Sequence, residues 1–213
     1  SNSILTGVDL SGKDLTGTNL SSVVLSGVDL TDSILTGADL SNSILSGVDL
    51  PGVDLTGAIL TRTDLRYSNL AGADLSGAIL ERTNLSHSNL TGVNFKDTTF
   101  YHVNFNTANL SGVNLAGADL KDVMFYRANL EGANLTGAIL TDVNIQYAIF
   151  TGANLTDVNL RSFNLSGKDL TGAILTGANI QNTILTGANL TDANFKDTTF
   201  FQVNFNGANL TGA

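Results

Sequence analysis

Large apolar residues recur every five positions along this chain without a break. Cut from Ser1, it reads SNSIL, TGVDL, SGKDL, TGTNL and so on to NGANL, 42 complete pentads followed by Thr211, Gly212 and Ala213. The fifth position is Leu in 32 pentads, Phe in 8 and Ile in 2. The third is Ala, Val, Ser or Thr in all but three, where Lys13, Phe163 and Lys168 stand. The fourth is Asn in 19, Asp in 10 and Ile in 9. A period of five fits neither the 3.6 of a helix nor the 2.0 of a strand. It predicts a short extended piece and then a corner, each pentad burying one large and one small side chain.

All 22 Gly occupy the second position. A type II turn centred on positions one and two needs φ > 0 at its second central residue, which Gly adopts without steric cost. Where that position holds Arg, Tyr, His or Asp, the corner is expected either to change turn type or to carry strain. Asn and Asp at position four suit hydrogen bonding to nearby backbone.

The number of pentads per coil is also readable. From residue 61, two varied pentads alternate with two plain ones: TRTDL RYSNL before AGADL SGAIL, ERTNL SHSNL before TGVNF KDTTF. The block recurs every 20 residues. NFKDTTFYHVNF at 94–105 returns as NFKDTTFFQVNF at 194–205, a shift of 100 that is divisible by 20 and not by 15. Four pentads per coil give a square cross-section and between ten and eleven coils.

These pentads resemble the pentapeptide repeat family, whose pattern is A(D/N)LXX, over the whole chain. The resemblance implies an all-β, right-handed quadrilateral β-helix, and right-handed parallel crossovers are the general expectation. At one strand spacing per coil the rod is about 50 Å long. The 213 residues are read as one solenoid domain. Neither end carries a capping helix or polar outer coil, so the chain is read as an excised portion of a longer protein, in preference to one whose open ends self-associate.

Stacked fifth-position side chains form one continuous core column, each contributing about 1.5–3 kcal/mol on full burial. Phe95, Phe100 and Phe105 are expected to fill the core together, with Phe125 stacked one coil beyond Phe105. Lys13 and Lys168 hold nominally inward positions. An isolated buried ammonium is too costly to persist, so both are expected to reach outward at the corner, toward Asp14 and Asp169.

Composition narrows the function. There is no Cys and only 2 His, and no catalytic triad order or phosphate-binding Gly loop stands out. The expectation is a protein that is not an enzyme and has no cofactor or metal. A net charge of −9 argues against direct nucleic-acid binding, and no apolar run approaches a membrane span. Compartment stays open among cytoplasm, which is favoured, periplasm and thylakoid lumen.

The corners are where the sequence stops being uniform. With the four pentads of each coil taken as faces one to four from Ser1, faces three and four carry almost only Thr/Ser-Gly. Faces one and two of coils four to nine carry Arg62, Arg66, Tyr67, Arg82, His87, Tyr101, His102, Lys121, Tyr126, Arg127, Tyr147 and Arg161. All five Arg, all four Tyr and both His are in that set. Tyr and Arg dominate binding hot spots, and a solenoid face is an extended platform. These residues are therefore candidate contacts for a protein partner. A corner that tolerates any polar residue explains the variety, but not the absence of Arg and Tyr from coils one to three.

Two other functions compete with this reading. Some relatives in the resembled family protect DNA gyrase from quinolones as acidic DNA mimics, and seven Asp against one Lys in residues 1–60 fit that alternative. Acidity confined to one end and Arg at the waist count against it. Thr ladders such as Thr16, Thr36 and Thr56 raise an ice-binding reading, opposed by their corner placement and by Lys96.

Overall fold

The structure, a computed structural model, describes residues 3–213. Its chain turns at positions one and two of every pentad and is extended at three to five. Single parallel bridges join nearly all fourth-position residues to the one 20 residues later, from Ile4–Val24 and Asp9–Asp29 to Asn189–Asn209. Four pentads therefore close one coil, and like positions stack in columns.

One pentad shows where the backbone groups go. Arg62 N–H donates to the Glu81 carbonyl of the next coil at 2.8 Å, and Leu65 N–H to the Asn84 carbonyl at 2.8 Å. Asp64 N–H donates to the Ser43 carbonyl of the preceding coil at 3.0 Å, and Thr63 N–H closes the turn on the Leu60 carbonyl at 3.0 Å. The fifth donor, Arg66 N–H, goes to Asp64 Oδ1 at 3.1 Å. All five donors are paired, as a chain folded almost wholly into corners requires.

That last bond explains the fourth position. Its side-chain oxygen accepts the N–H two residues ahead, as from Ser76 to Asp74, Thr136 to Asn134 and Thr156 to Asn154. Every Asn and Asp of the series makes this bond except Asp49, which precedes Pro51 and so has no N–H to accept.

Fifth-position side chains fill the axis, from Leu20 to Leu190. Exposure appears only at the tips, as at Phe200 and Leu210. Phe105 and Phe125 stack with centroids 5.5 Å apart and planes 8° from parallel, as expected. Away from the tips most Ser and Thr at position three are buried with their hydroxyls bonded to fifth-position carbonyls, as Thr63 to Leu40 at 2.8 Å and Thr83 to Leu60 at 2.7 Å.

The oversized third-position residues behave differently from one another. Lys13, in the terminal coil, is exposed. Lys168 corrects the expectation that it reaches outward: it is 9 % exposed, and its Nζ donates to the Ile145 carbonyl at 2.8 Å and the Ala148 carbonyl at 3.2 Å. The ammonium is tolerated inside because those carbonyls solvate it, and burial lowers its pKa.

Around Lys168 and Phe163 the ladder opens. Among the described residues five i to i+20 bridges are missing, and three are consecutive: Ile139–Asn159, Asn144–Asn164 and Ile149–Asp169. Face three stays closed through Asn134–Asn154 and Asn154–Ile174. The result is a wedge-shaped seam, hinged on face three with its mouth on the opposite face one. A third position built for Ala or Val holds Phe and then Lys one pentad later, and coils one strand spacing apart have no room for both.

The ladder also ties stability to pH. Asp14, Asp74 and Asp169 lie below the ordinary carboxylate range, chiefly through the hydroxyls of Thr16, Ser76 and Thr171 and then their N–H groups. Asp54 is lowered first by the Thr56 N–H. A lowered carboxylate stabilises the fold fully above its unfolded pKa of about 4, and that contribution is lost as pH falls through the folded value. The melting temperature followed by circular dichroism is expected to be flat from about pH 7 to 5 and to drop below about pH 4. Asp54→Asn with Asp74→Asn should flatten the acid limb, since Asn accepts the same bond without titrating.

Candidate partner-binding surface

The second position is left-handed whatever residue occupies it. Gly there has φ from 61° to 76°, and non-Gly residues have φ from 51° to 63°. Arg62, Tyr67, Arg82, His87, His102, Arg127 and Tyr147 are all in this state. The corner thus keeps its backbone and carries strain, rather than changing turn type. Each such L-residue costs roughly 1–2 kcal/mol relative to an unstrained one, and Asn and Asp tolerate the state best. Asp and Asn hold many of the other non-Gly corners, as at Asp32, Asn42, Asp157 and Asn182. All of the left-handed Arg, Tyr and His lie on faces one and two of coils four to eight.

The inter-coil spacing suits ring stacking, and the side chains use it. Tyr67 lies parallel to His87 with centroids 4.6 Å apart and planes 10° apart. His87 Nδ1 is 2.7 Å from Thr107 Oγ1 in the same column. Farther along, the Arg127 guanidinium lies 5.4 Å from the Tyr126 ring and 5.7 Å from the Tyr147 ring. Those two rings meet edge to face at 5.6 Å. On the neighbouring corner Arg82 reaches over Tyr101 at 5.9 Å, and Tyr101 meets His102 at 4.1 Å.

The structure therefore gathers most of the candidate residues into three clusters: Tyr67–His87, Arg82–Tyr101–His102 and Tyr126–Arg127–Tyr147. Arg66 turns aside into a two-bond fork on Asp64, at 2.8 and 2.7 Å. Arg62 has no side-chain hydrogen bond, ion pair or ring contact among the described residues. Lys121 is an exposed corner residue, and Arg161 stands at the seam. The seam itself is a feature that reading the corners missed. Its signal was present in Phe163 and Lys168, the paired departures at position three. It forms a cleft of about 1410 Å³ between residues 137–149 and 157–169.

Comparison with known proteins agrees with this geometry. A family model described as pentapeptide repeat region matches residues 58–135. A second, described as pentapeptide repeats (8 copies), matches 1–37, 33–67, 118–157, 153–192 and 185–213. The chain belongs to the pentapeptide repeat family. Its fold is the right-handed quadrilateral β-helix of its structural neighbours. HetL, a pentapeptide repeat protein involved in heterocyst differentiation regulation in the cyanobacterium Nostoc sp. strain PCC 7120, is 33% identical. That alignment covers 92% of this chain and 89% of HetL, with a TM-score of 0.66. Rfr23 from the cyanobacterium Cyanothece 51142 is 27% identical over 68% of this chain and 85% of its own, with a TM-score of 0.28. QnrB1, a plasmid-mediated fluoroquinolone resistance protein, is 17% identical over 100% of this chain and 86% of its own, with a TM-score of 0.39. Among curated proteins none matches the chain. No helix among the described residues is long and apolar enough to cross a membrane.

Corner strain can be measured directly. Arg62→Gly removes a left-handed L-residue without breaking a side-chain contact, and is expected to stabilise by up to about 1 kcal/mol after the added freedom of unfolded Gly. His87→Gly also loses the Tyr67 stack and the Thr107 bond, so its denaturation midpoint should stay level or fall. Urea titration of both variants distinguishes them.

Proposed function

We propose that this pentapeptide repeat protein is a non-enzymatic scaffold that docks a protein partner on the corner columns of faces one and two. One observation carries the reading: bulky Arg, Tyr and His are kept in left-handed corners where Gly serves at less cost, and all of them are in one region. Strain retained in a confined patch is a mark of function. The patch has the right chemistry, since Tyr and Arg offer large rigid contact area with hydrogen-bonding ends. Tyr67 and Tyr147, 64% and 60% exposed, present their rings to solvent. The likeness to HetL, a protein involved in heterocyst differentiation regulation, supports a regulatory scaffold.

The contacts assigned to the partner are Arg62, Tyr67, Arg82, His87, Tyr101, His102, Tyr126, Arg127 and Tyr147, with Arg66, Lys121 and Arg161 at the margins. Replacing Arg62, Tyr67, Arg82, Tyr126 and Arg127 together by Gly or Ser should leave the circular dichroism spectrum unchanged. A specific protein cross-linked by the parent chain should be lost from that variant. Retention of the same cross-linked protein at equal yield would remove the corner columns from the interface.

A further inference from the structure

The seam between coils seven to nine is the longest interruption in the ladder among the described residues, three consecutive bridges against single ones at Asp29–Asp49 and Thr99–Asp119, and it leaves two facing edges. On one lip the N–H groups of Leu140, Asp142, Ile145, Tyr147 and Phe150 have no backbone partner among the described residues. On the other, the N–H groups of Asn159, Asn164 and Asp169 have none. In the neighbouring coils the equivalent groups are paired, as Leu135 to Asn154 and Gly152 to Thr171, each at 2.8 Å. Unpaired strand edges are templates for another extended segment.

The chemistry of the cleft selects among occupants. Its volume of about 1410 Å³ exceeds the range of roughly 300–1,000 Å³ usual for small-molecule pockets. The core behind it is closed: Leu140, Ile145, Phe150 and Leu165 stay at 8 % exposure or less. Only small side chains fit on the inner side of an entering strand. The lips carry Asp142, Asp157 and Asp169, and none is in an ion pair among the described residues. Of the two cations there, the Lys168 ammonium is held by two carbonyls, leaving Arg161. The lips are thus acidic toward solvent.

We infer that this cleft binds an extended basic peptide segment of a partner protein, inserted across face one as a strand between the Ile145 and Leu165 edges. Backbone groups pair with both lips, small side chains face the core, and Lys or Arg side chains meet Asp142, Asp157 and Asp169. Phe163 and Lys168 act as props that hold the edges apart. This site adjoins the corner columns at Tyr147 and Arg161 but does not use the side chains of Arg62, Tyr67 or Arg82.

The test uses the full chain and a fluorescent seven-residue peptide alternating Lys and Ala, beside the same peptide N-methylated at each Ala. The unmodified peptide is expected to bind by anisotropy and to slow hydrogen exchange at the Asp142, Ile145, Tyr147 and Asn164 amides by about tenfold or more. N-methylation, which removes backbone donors and keeps the charge, should abolish binding. Phe163→Ala with Lys168→Ala restores small third positions, so the seam should close, those amides should become protected without peptide, and binding should be lost. Asp142→Asn with Asp157→Asn, which leaves the props in place, should weaken binding at least several-fold. Arg62→Ser with Tyr67→Ser and Arg82→Ser should leave it unchanged. Equal binding of both peptides, undiminished binding by the double Ala or double Asn variant, or no binding to the parent chain would each overturn the inference.

Discussion

One constraint governs this molecule: every coil must lie one strand spacing from the next on all four sides. At roughly 4.8 Å there is room behind the backbone for one large side chain per pentad and one small one. The third position is where that limit is tightest. Ala and Val satisfy it by size, and Ser and Thr satisfy it by folding their hydroxyls onto carbonyls of the core. Phe163 and Lys168, neighbours in consecutive pentads, exceed it, and the lattice gives way beside them.

The corners obey the same logic from outside. Because position two points away from the axis, nothing in the packing restricts its size, and only the backbone conformation matters. Gly meets that requirement freely, Asn and Asp nearly so, and Arg, Tyr and His against resistance. A repeat this regular therefore separates its two demands cleanly. Positions three, four and five answer to folding, while one and two are free to carry chemistry.

This separation explains what could be read from the amino acids. The pentad frame, the coil length and the Phe105–Phe125 stack follow from spacing alone, and the i to i+20 bridges agree. The bond accepted by each fourth-position Asn or Asp was legible in kind, because the short side chain has few other backbone donors in reach. The fate of Lys168 was not. A local pattern marks an oversized residue but does not say whether the side chain leaves or the coils part. Lys13 leaves, in a coil with one open neighbour; Lys168 stays, received by the Ala148 carbonyl that the parted coils free and by the Ile145 carbonyl, which also accepts the Ala148 N–H. The clustering of corner residues was visible from residue 61 onward, but their pairing was not, since whether Arg127 lies over Tyr126 or Tyr147 depends on side-chain direction.

Face three, the one side that stays bonded across the opening, acquires a mechanical meaning. Through most of the rod a pull along the axis is shared by rows on all four faces; along the seam three consecutive rows are open and the face-three row stays bonded on both sides of coil eight. The two stretches of the rod are in effect joined by a leaf hinge. Tension would concentrate there first, and bending would be easiest in the one plane that swings the lips apart or together.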